Sequence, residues 1–157
     1  MMRSRSLTPG EIGLARSVFG DAIDYSKVRL KLGKWWPLHP RGSAMAPMGH
    51  IYFHPVGGGW SEDFSVEPRG RQAFFIHEMT HVWQAQKGGR FFLPLMRHPF
   101  CRYRYRLEPG KPFRRYGLEQ QAEIVAAAFL ERAEAAEASS LRALLPFGPA
   151  CGPTRFV

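Results

Sequence analysis

The sequence predicts an α+β fold in which a short, mostly antiparallel sheet packs on one buried helix and a second long helix completes the core. Three observations carry that prediction. Lys27-Val28-Arg29-Leu30-Lys31-Leu32 alternates strictly between polar and apolar residues, the pattern of a half-buried strand. From residue 68 to about 87 the chain carries Phe74, Phe75, Ile76, Met79, Val82 and Trp83 nearly all round a helical wheel, as a buried helix does. From residue 118 to about 138, strong helix formers place Leu118, Ala122, Val125 and Phe129 in one stripe.

The elements follow in order. Thr8-Pro9-Gly10-Glu11 opens a first helix: Thr8 caps it, Pro9 suits the first helical position, and Glu11 completes a capping box. That helix is expected to run through Phe19 and stop at Gly20, with Ile12, Ala15 and Phe19 on its buried face. In the strand over 27–32, Val28, Leu30 and Leu32 point to the core and Lys27, Arg29 and Lys31 to water. Residues 33–49 are broken by prolines and glycines, and Trp35-Trp36 before Pro37 reads as packing. His50-Ile51-Tyr52-Phe53-His54 is a second short strand, ended by Pro55 and the Gly57-Gly58-Gly59 turn. Pro68 opens the buried helix and Gly88-Gly89 ends it. Arg102-Tyr103-Arg104-Tyr105-Arg106-Leu107 alternates again and reads as a third strand or an edge hairpin. Ser139-Ser140 caps a last short helix that ends before Pro146.

With 157 residues, 45% hydrophobic and 13% aromatic, the chain reads as a single domain over 1–157, its core about 7–145 and its tail from about 148 loose. No apolar run approaches the roughly 18 residues of a membrane helix, so no membrane span is expected. The opening MMRSRSLTPGE has no apolar run behind its arginines, so no secretory signal is read and a cytoplasmic location is expected. Cys101 and Cys151 read as reduced, partly buried thiols rather than a disulfide or a zinc-binding framework.

The net charge of +9 suits an acidic partner, but it is concentrated. Residues 87–115 hold Lys87, Arg90, Arg97, Arg102, Arg104, Arg106, Lys111, Arg114 and Arg115 against Glu108 alone. The reading favoured for this segment is a solvated face whose arginine stems cover an aromatic core. An acidic protein partner comes next, and nucleic acid last, because no nucleic-acid motif is present.

The chemistry lies in His77-Glu78-Met79-Thr80-His81, a His-Glu-x-x-His motif. On a helix His77 and His81 share one face, one turn apart, and both imidazoles reach one metal ion. Glu78 is rotated beside them, placed to touch a water on the metal without filling a ligand position. With 6 His and the glutamates of this composition, chance yields the motif in roughly one such sequence in seventy. Its apolar surroundings strengthen it, since buried histidines and a buried glutamate need partners that a zinc ion supplies. The competing reading is a pair of core histidines bonded to backbone carbonyls. A catalytic zinc takes a third protein ligand and leaves a position for water. Candidates for that ligand are His39, His50, His54, His98, Glu119 and Glu123. Glu119 and Glu123 stand out, one turn apart at the start of an otherwise apolar helix, so that one can bind zinc and the other accept a hydrogen bond from a ligating imidazole.

His77–His81 followed by Glu119-x-x-Ala122-Glu123 is similar to the gluzincin pattern of zincin-like metallopeptidases. That resemblance implies zinc held by His77, His81 and Glu119, with Glu123 supporting a histidine, although Asp is usual at that place. The order of elements, over roughly residues 7–130, resembles a small metallopeptidase-type domain (eCIS-core type) of polymorphic toxins and contractile-injection proteins, with short members labelled Vgr-related. The matching pieces are the opening helix ending Phe19-Gly20, the strand Tyr25-Ser26-Lys27-Val28-Arg29-Leu30, the strand His50-Ile51-Tyr52-Phe53, and the segment His77 to Gln84. The long basic interval between His81 and Glu119 departs from a generic peptidase. The resemblance implies a minimal zincin-like domain that hydrolyses a peptide bond, with Glu78 as general base, a peptide or protein substrate, and export through a specialised secretion apparatus. Tyr105, Tyr116 and His98 are the candidate donors to the developing oxyanion. The alternative is a non-catalytic, zinc-stabilised module that docks onto an acidic toxin or secretion-system protein through residues 87–115.

Overall fold

The structure, a computed structural model, describes residues 2–89, 104–131 and 140–147. Helix α1 spans Pro9–Phe19, as its cap predicts. Thr8 accepts from the Glu11 amide, the Glu11 carboxylate accepts from the Thr8 amide, and Gly20 ends the helix at φ 55°. The buried face, however, is Glu11, Ala15 and Phe19, while Ile12 is only half-buried. The reason is a partner far away in sequence. Glu11 is fully buried because Arg5 meets both of its carboxylate oxygens at 2.8 Å and the Phe64 amide donates to it at 3.0 Å.

Arg5 belongs to a strand that no pattern announced, β1 (Arg3–Ser6). Its sequence holds no apolar residue; the inward position is filled by the arginine that Glu11 neutralises. Strand β2 (Arg29–Leu32) starts later than the alternation suggests, because Tyr25–Lys27 wind into one 3₁₀ turn. Val28 and Leu30 are nonetheless fully buried, as read. The second predicted strand is β4 (Ile51–Phe53), and an unforeseen two-residue strand, β3 (Ala44–Met45), lies at the edge.

The sheet runs β1-β2-β4-β3 and is mixed rather than simply antiparallel. Its two outer pairs are antiparallel, but the central pair, Leu30 opposite Ile51 and Leu32 opposite Phe53, is parallel. A parallel pair needs a long crossover, and residues 33–50, which include β3, supply it. No third strand forms at 104–107; there the Arg104 carbonyl takes the Gln120 side chain instead of a strand partner. Residues 102 and 103 of that expected strand lie outside the described residues.

Helix α2 spans Arg69–Gly88, preceded by Pro68 and ended by Gly89 at φ 89°. Helix α3 spans Leu118–Glu131, and the expected continuation to about 138 lies outside the described residues. The short α4 (Ser140–Leu144) follows. Helices α2 and α3 run antiparallel: Gln84 reaches the Leu118 carbonyl at one end and Arg69 the Phe129 carbonyl at the other, at 3.1 and 2.7 Å. Between sheet and α2, the rings of Phe53, Phe64 and Phe75 stack at 5.5 and 5.2 Å. A second aromatic group joins Phe19, Trp83 and Phe147, with centroids 4.9 and 5.0 Å apart. Trp35 is half-buried, but Trp36 is 42% exposed, so only part of that pair packs. Both cysteines and the expected loose tail lie outside the described residues.

Glu11→Ala is expected to destabilise the fold by about 3–5 kcal/mol, since it strands the Arg5 charge and removes the Glu11 half of the capping box together. Urea unfolding of the metal-free protein checks this; a loss below about 1 kcal/mol would mean the buried pair contributes little.

Candidate metal centre

The antiparallel register of α2 and α3 sets His77 and His81 opposite Glu119, in the first turn of α3. The two imidazoles stand one turn apart, centroids 5.0 Å apart and planes at 77°. Glu119 Oε2 lies 3.2 Å from His81 Nε2 and 3.5 Å from His77 Nε2. One ligand atom from each residue falls within 4.8 Å of the others, and this is the one such group among the described residues. His81 and Glu119 are buried; the His77 side chain is 13% exposed.

The second nitrogen of each ring is also engaged. His77 Nδ1 meets Glu123 Oε1 at 3.2 Å, on a side chain 43% exposed. His81 Nδ1 meets Gln84 Oε1 at 2.8 Å, fully inside the protein. Burial alone would pull the His77 imidazole down, but the bond to Glu119 and the charges of Glu78 and Glu123 outweigh it and hold the ring above its ordinary value.

Glu78 is 4% exposed, and its Oε2 has no hydrogen-bond partner among the described residues. It faces a cavity of about 560 Å³ that His77, Glu119 and Glu123 also line. Small residues leave that space open: Gly70 and Ala73 on α2, Ala126 on α3. Tyr105 lines the cavity too, and burial and the charges of Glu123 and Glu131 raise its phenol. Tyr116 is instead buried elsewhere, its hydroxyl accepting from the Glu108 amide at 3.1 Å.

The remaining histidines stand apart from this cluster. His39 and His54 pack edge to face at 5.6 Å and bond locally, to the Ser43 carbonyl and to Val56. His50 is not in the group, and His98 lies outside the described residues. In the basic segment Phe113 and Tyr116 are buried and Lys111 lies over the Tyr116 ring, 4.6 Å from its centroid. Arg104, Arg106, Arg114 and Arg115 are exposed. The residues that motif reasoning missed are Gln84 and Gln121. Their only sequence signal was an amide three residues past His81, among Val82, Trp83 and Ala85, and another two past Glu119.

No protein-family profile matches the chain. The solved effector domain of Pseudomonas aeruginosa VgrG2b superposes with a TM-score of 0.72 at 45% identity, over 82% of this chain and 75% of that one. The chain belongs to the VgrG2b effector-domain family. The type VI secretion system spike protein VgrG2b of Pseudomonas aeruginosa is 48% identical over 142 residues, which are 87% of this chain. They are 14% of the spike protein, so the chain corresponds to a small part of that relative. Kinship with Vgr-related proteins therefore stands on overall sequence and fold as well as on the order of motifs. No described helix of this VgrG2b-type domain is long and apolar enough to cross a membrane.

Proposed function

We propose that this VgrG2b-type domain is a zincin-like, zinc-dependent peptidase that acts on a peptide or protein substrate and is delivered by a secretion apparatus. One observation carries the reading: three lone-pair atoms, two imidazole Nε2 and Glu119 Oε2, converge beside a buried carboxylate oxygen that lacks a partner. Such a convergence is held together by a cation or by protons. The donor set, two histidines and a glutamate, suits zinc and leaves room for water. His77, His81 and Glu119 would hold the ion.

A bound zinc supplies Lewis-acid chemistry, acidifying a water and polarising the scissile carbonyl. Glu78 is the base: its unpartnered Oε2 takes a proton from the attacking water and returns it to the leaving amine. Glu123 Oε1 pairs with His77 at Nδ1, 3.2 Å away, on the side of the ring opposite the Nε2 that faces Glu119. The neighbouring cavity admits the substrate, and Tyr105 is the described tyrosine placed along it to donate to the developing oxyanion. Incubating zinc-loaded protein with a broad peptide library, read by mass spectrometry, tests the activity; intact peptides under every condition would count against it.

The two acidic residues are expected to differ. Glu123→Ala weakens zinc binding by roughly 10–100-fold, as losses behind a ligand do, whereas Glu119→Ala abolishes tight binding. Competition with a chromophoric chelator measures both. Equal losses would mean that the half-exposed Glu123 is itself a ligand.

A further inference from the structure

Gln84 and Gln121 form a chain of amides that runs from the candidate metal cluster to the backbone. Gln84 is 3% exposed and Gln121 8%. Gln121 Nε2 donates to the Tyr116 carbonyl at 2.8 Å, and Gln84 Nε2 donates to the Leu118 carbonyl at 3.1 Å and to Gln121 Oε1 at 3.0 Å. A backbone carbonyl only accepts, so turning either amide over would set two oxygens against each other. Both amides are thereby oriented from the backbone. Gln84 Oε1 is left facing His81 Nδ1 at 2.8 Å, where only a proton on Nδ1 makes a bond.

We propose that Gln84, held in place by Gln121, is a positioning residue that keeps the His81 proton on Nδ1 and leaves the Nε2 lone pair for the metal. The proton on Nδ1 rests on the bond to Gln84; that Nε2 is left bare rests on the zinc reading above, since without a cation Nε2 faces Glu119 Oε2 at 3.2 Å and a proton there would bond the two. Burial explains why an amide serves here while Glu123 serves His77. The Glu123 side chain is 43% exposed and keeps water around its charge. At His81 the surroundings are closed and already hold the buried carboxylates of Glu78 and Glu119, so a third buried charge would cost more than a neutral acceptor of the same reach.

Two substitutions separate positioning from packing. Gln84→Met keeps the length but removes acceptor and donor, and is expected to weaken zinc binding roughly 10–100-fold. Gln84→Glu sets a second oxygen against the Leu118 carbonyl and Gln121 Oε1 and so costs more fold stability than Gln84→Met, but it keeps an oxygen opposite Nδ1 and is expected to recover most of the zinc affinity. Lost stability alone would weaken zinc binding in Gln84→Glu at least as much as in Gln84→Met. Long-range ¹H–¹⁵N spectra of the zinc-loaded parent should show His81 protonated at Nδ1 and bare at Nε2. Parent-like affinity in Gln84→Met, equal weakness in both variants, or a proton on Nε2 would each overturn the proposal. If the parent takes up no zinc, the metal reading falls. The spectra of the metal-free protein then decide the role of Gln84: a proton on Nδ1, with or without one on Nε2 toward Glu119, supports it, and a bare Nδ1 overturns it.

Discussion

Glu78→Gln is expected to fold and bind zinc like the parent while peptide cleavage falls by about 10²–10⁴-fold or more, the contribution of a positioned general base. The substitution keeps the size of a side chain that is 4% exposed, so packing on α2 is preserved. It removes no ligand, because the converging atoms belong to His77, His81 and Glu119. It does replace the buried, unpartnered Oε2 with an amide that cannot take a proton from water. Peptide-library digests by both proteins at matched zinc content give the measurement. Cleavage that survives in Glu78→Gln would remove the general-base assignment. The alternative, a zinc-stabilised docking module, makes a different forecast: Glu78→Gln is silent in partner binding, and charge reversal at exposed Arg104 and Arg106 weakens docking more at low salt than at high salt. The buried carboxylate favours the enzyme, since a closed structural site has no use for a carboxylate beside the metal that binds nothing.

His81→Ala is expected to lose zinc outright and, with it, the stability that the metal adds. For an ion held at 1,000 times its dissociation constant that stability is about 4.1 kcal/mol, which corresponds to a melting-temperature change of roughly 8–16 °C for a domain of this size. Chelation should therefore lower the melting temperature of the parent by that amount and leave His81→Ala unmoved, because only a protein that holds the ion has this stability to lose. His77→Ala should behave alike, with less harm to the metal-free fold, since the His77 side chain is 13% exposed and the His81 side chain fully buried. Elemental analysis of the purified variants checks the ligand set. Full zinc content in both histidine variants would show that the ligand assignment is wrong.

Much of what could be read without coordinates depends on neighbours a few residues apart. The capping box of Thr8 and Glu11, the stop at Gly20, the alternation around Val28 and Leu30, and the one-turn spacing of His77 and His81 are short-range facts of backbone geometry. The choice of Glu119 to join His77 and His81 came from the likeness to the gluzincin pattern, since residue types and spacing alone favoured the Glu119–Glu123 pair without deciding between its members. The rest was decided by partners distant in the chain. Strand β1 looks polar because its inward residue is Arg5, whose charge is met by Glu11. The central strand pair is parallel because residues 33–50 cross over, which alternation within a strand does not encode. Tyr105 lies along the cavity and Tyr116 does not, although both stand in one aromatic, basic segment. Gln84 and Gln121 looked like ordinary helical amides until the antiparallel contact of α2 and α3 placed them between His81 and the backbone carbonyls of Tyr116 and Leu118. A buried polar group needs a partner, and a sequence displays the group without displaying the partner; only packing at long range supplies it.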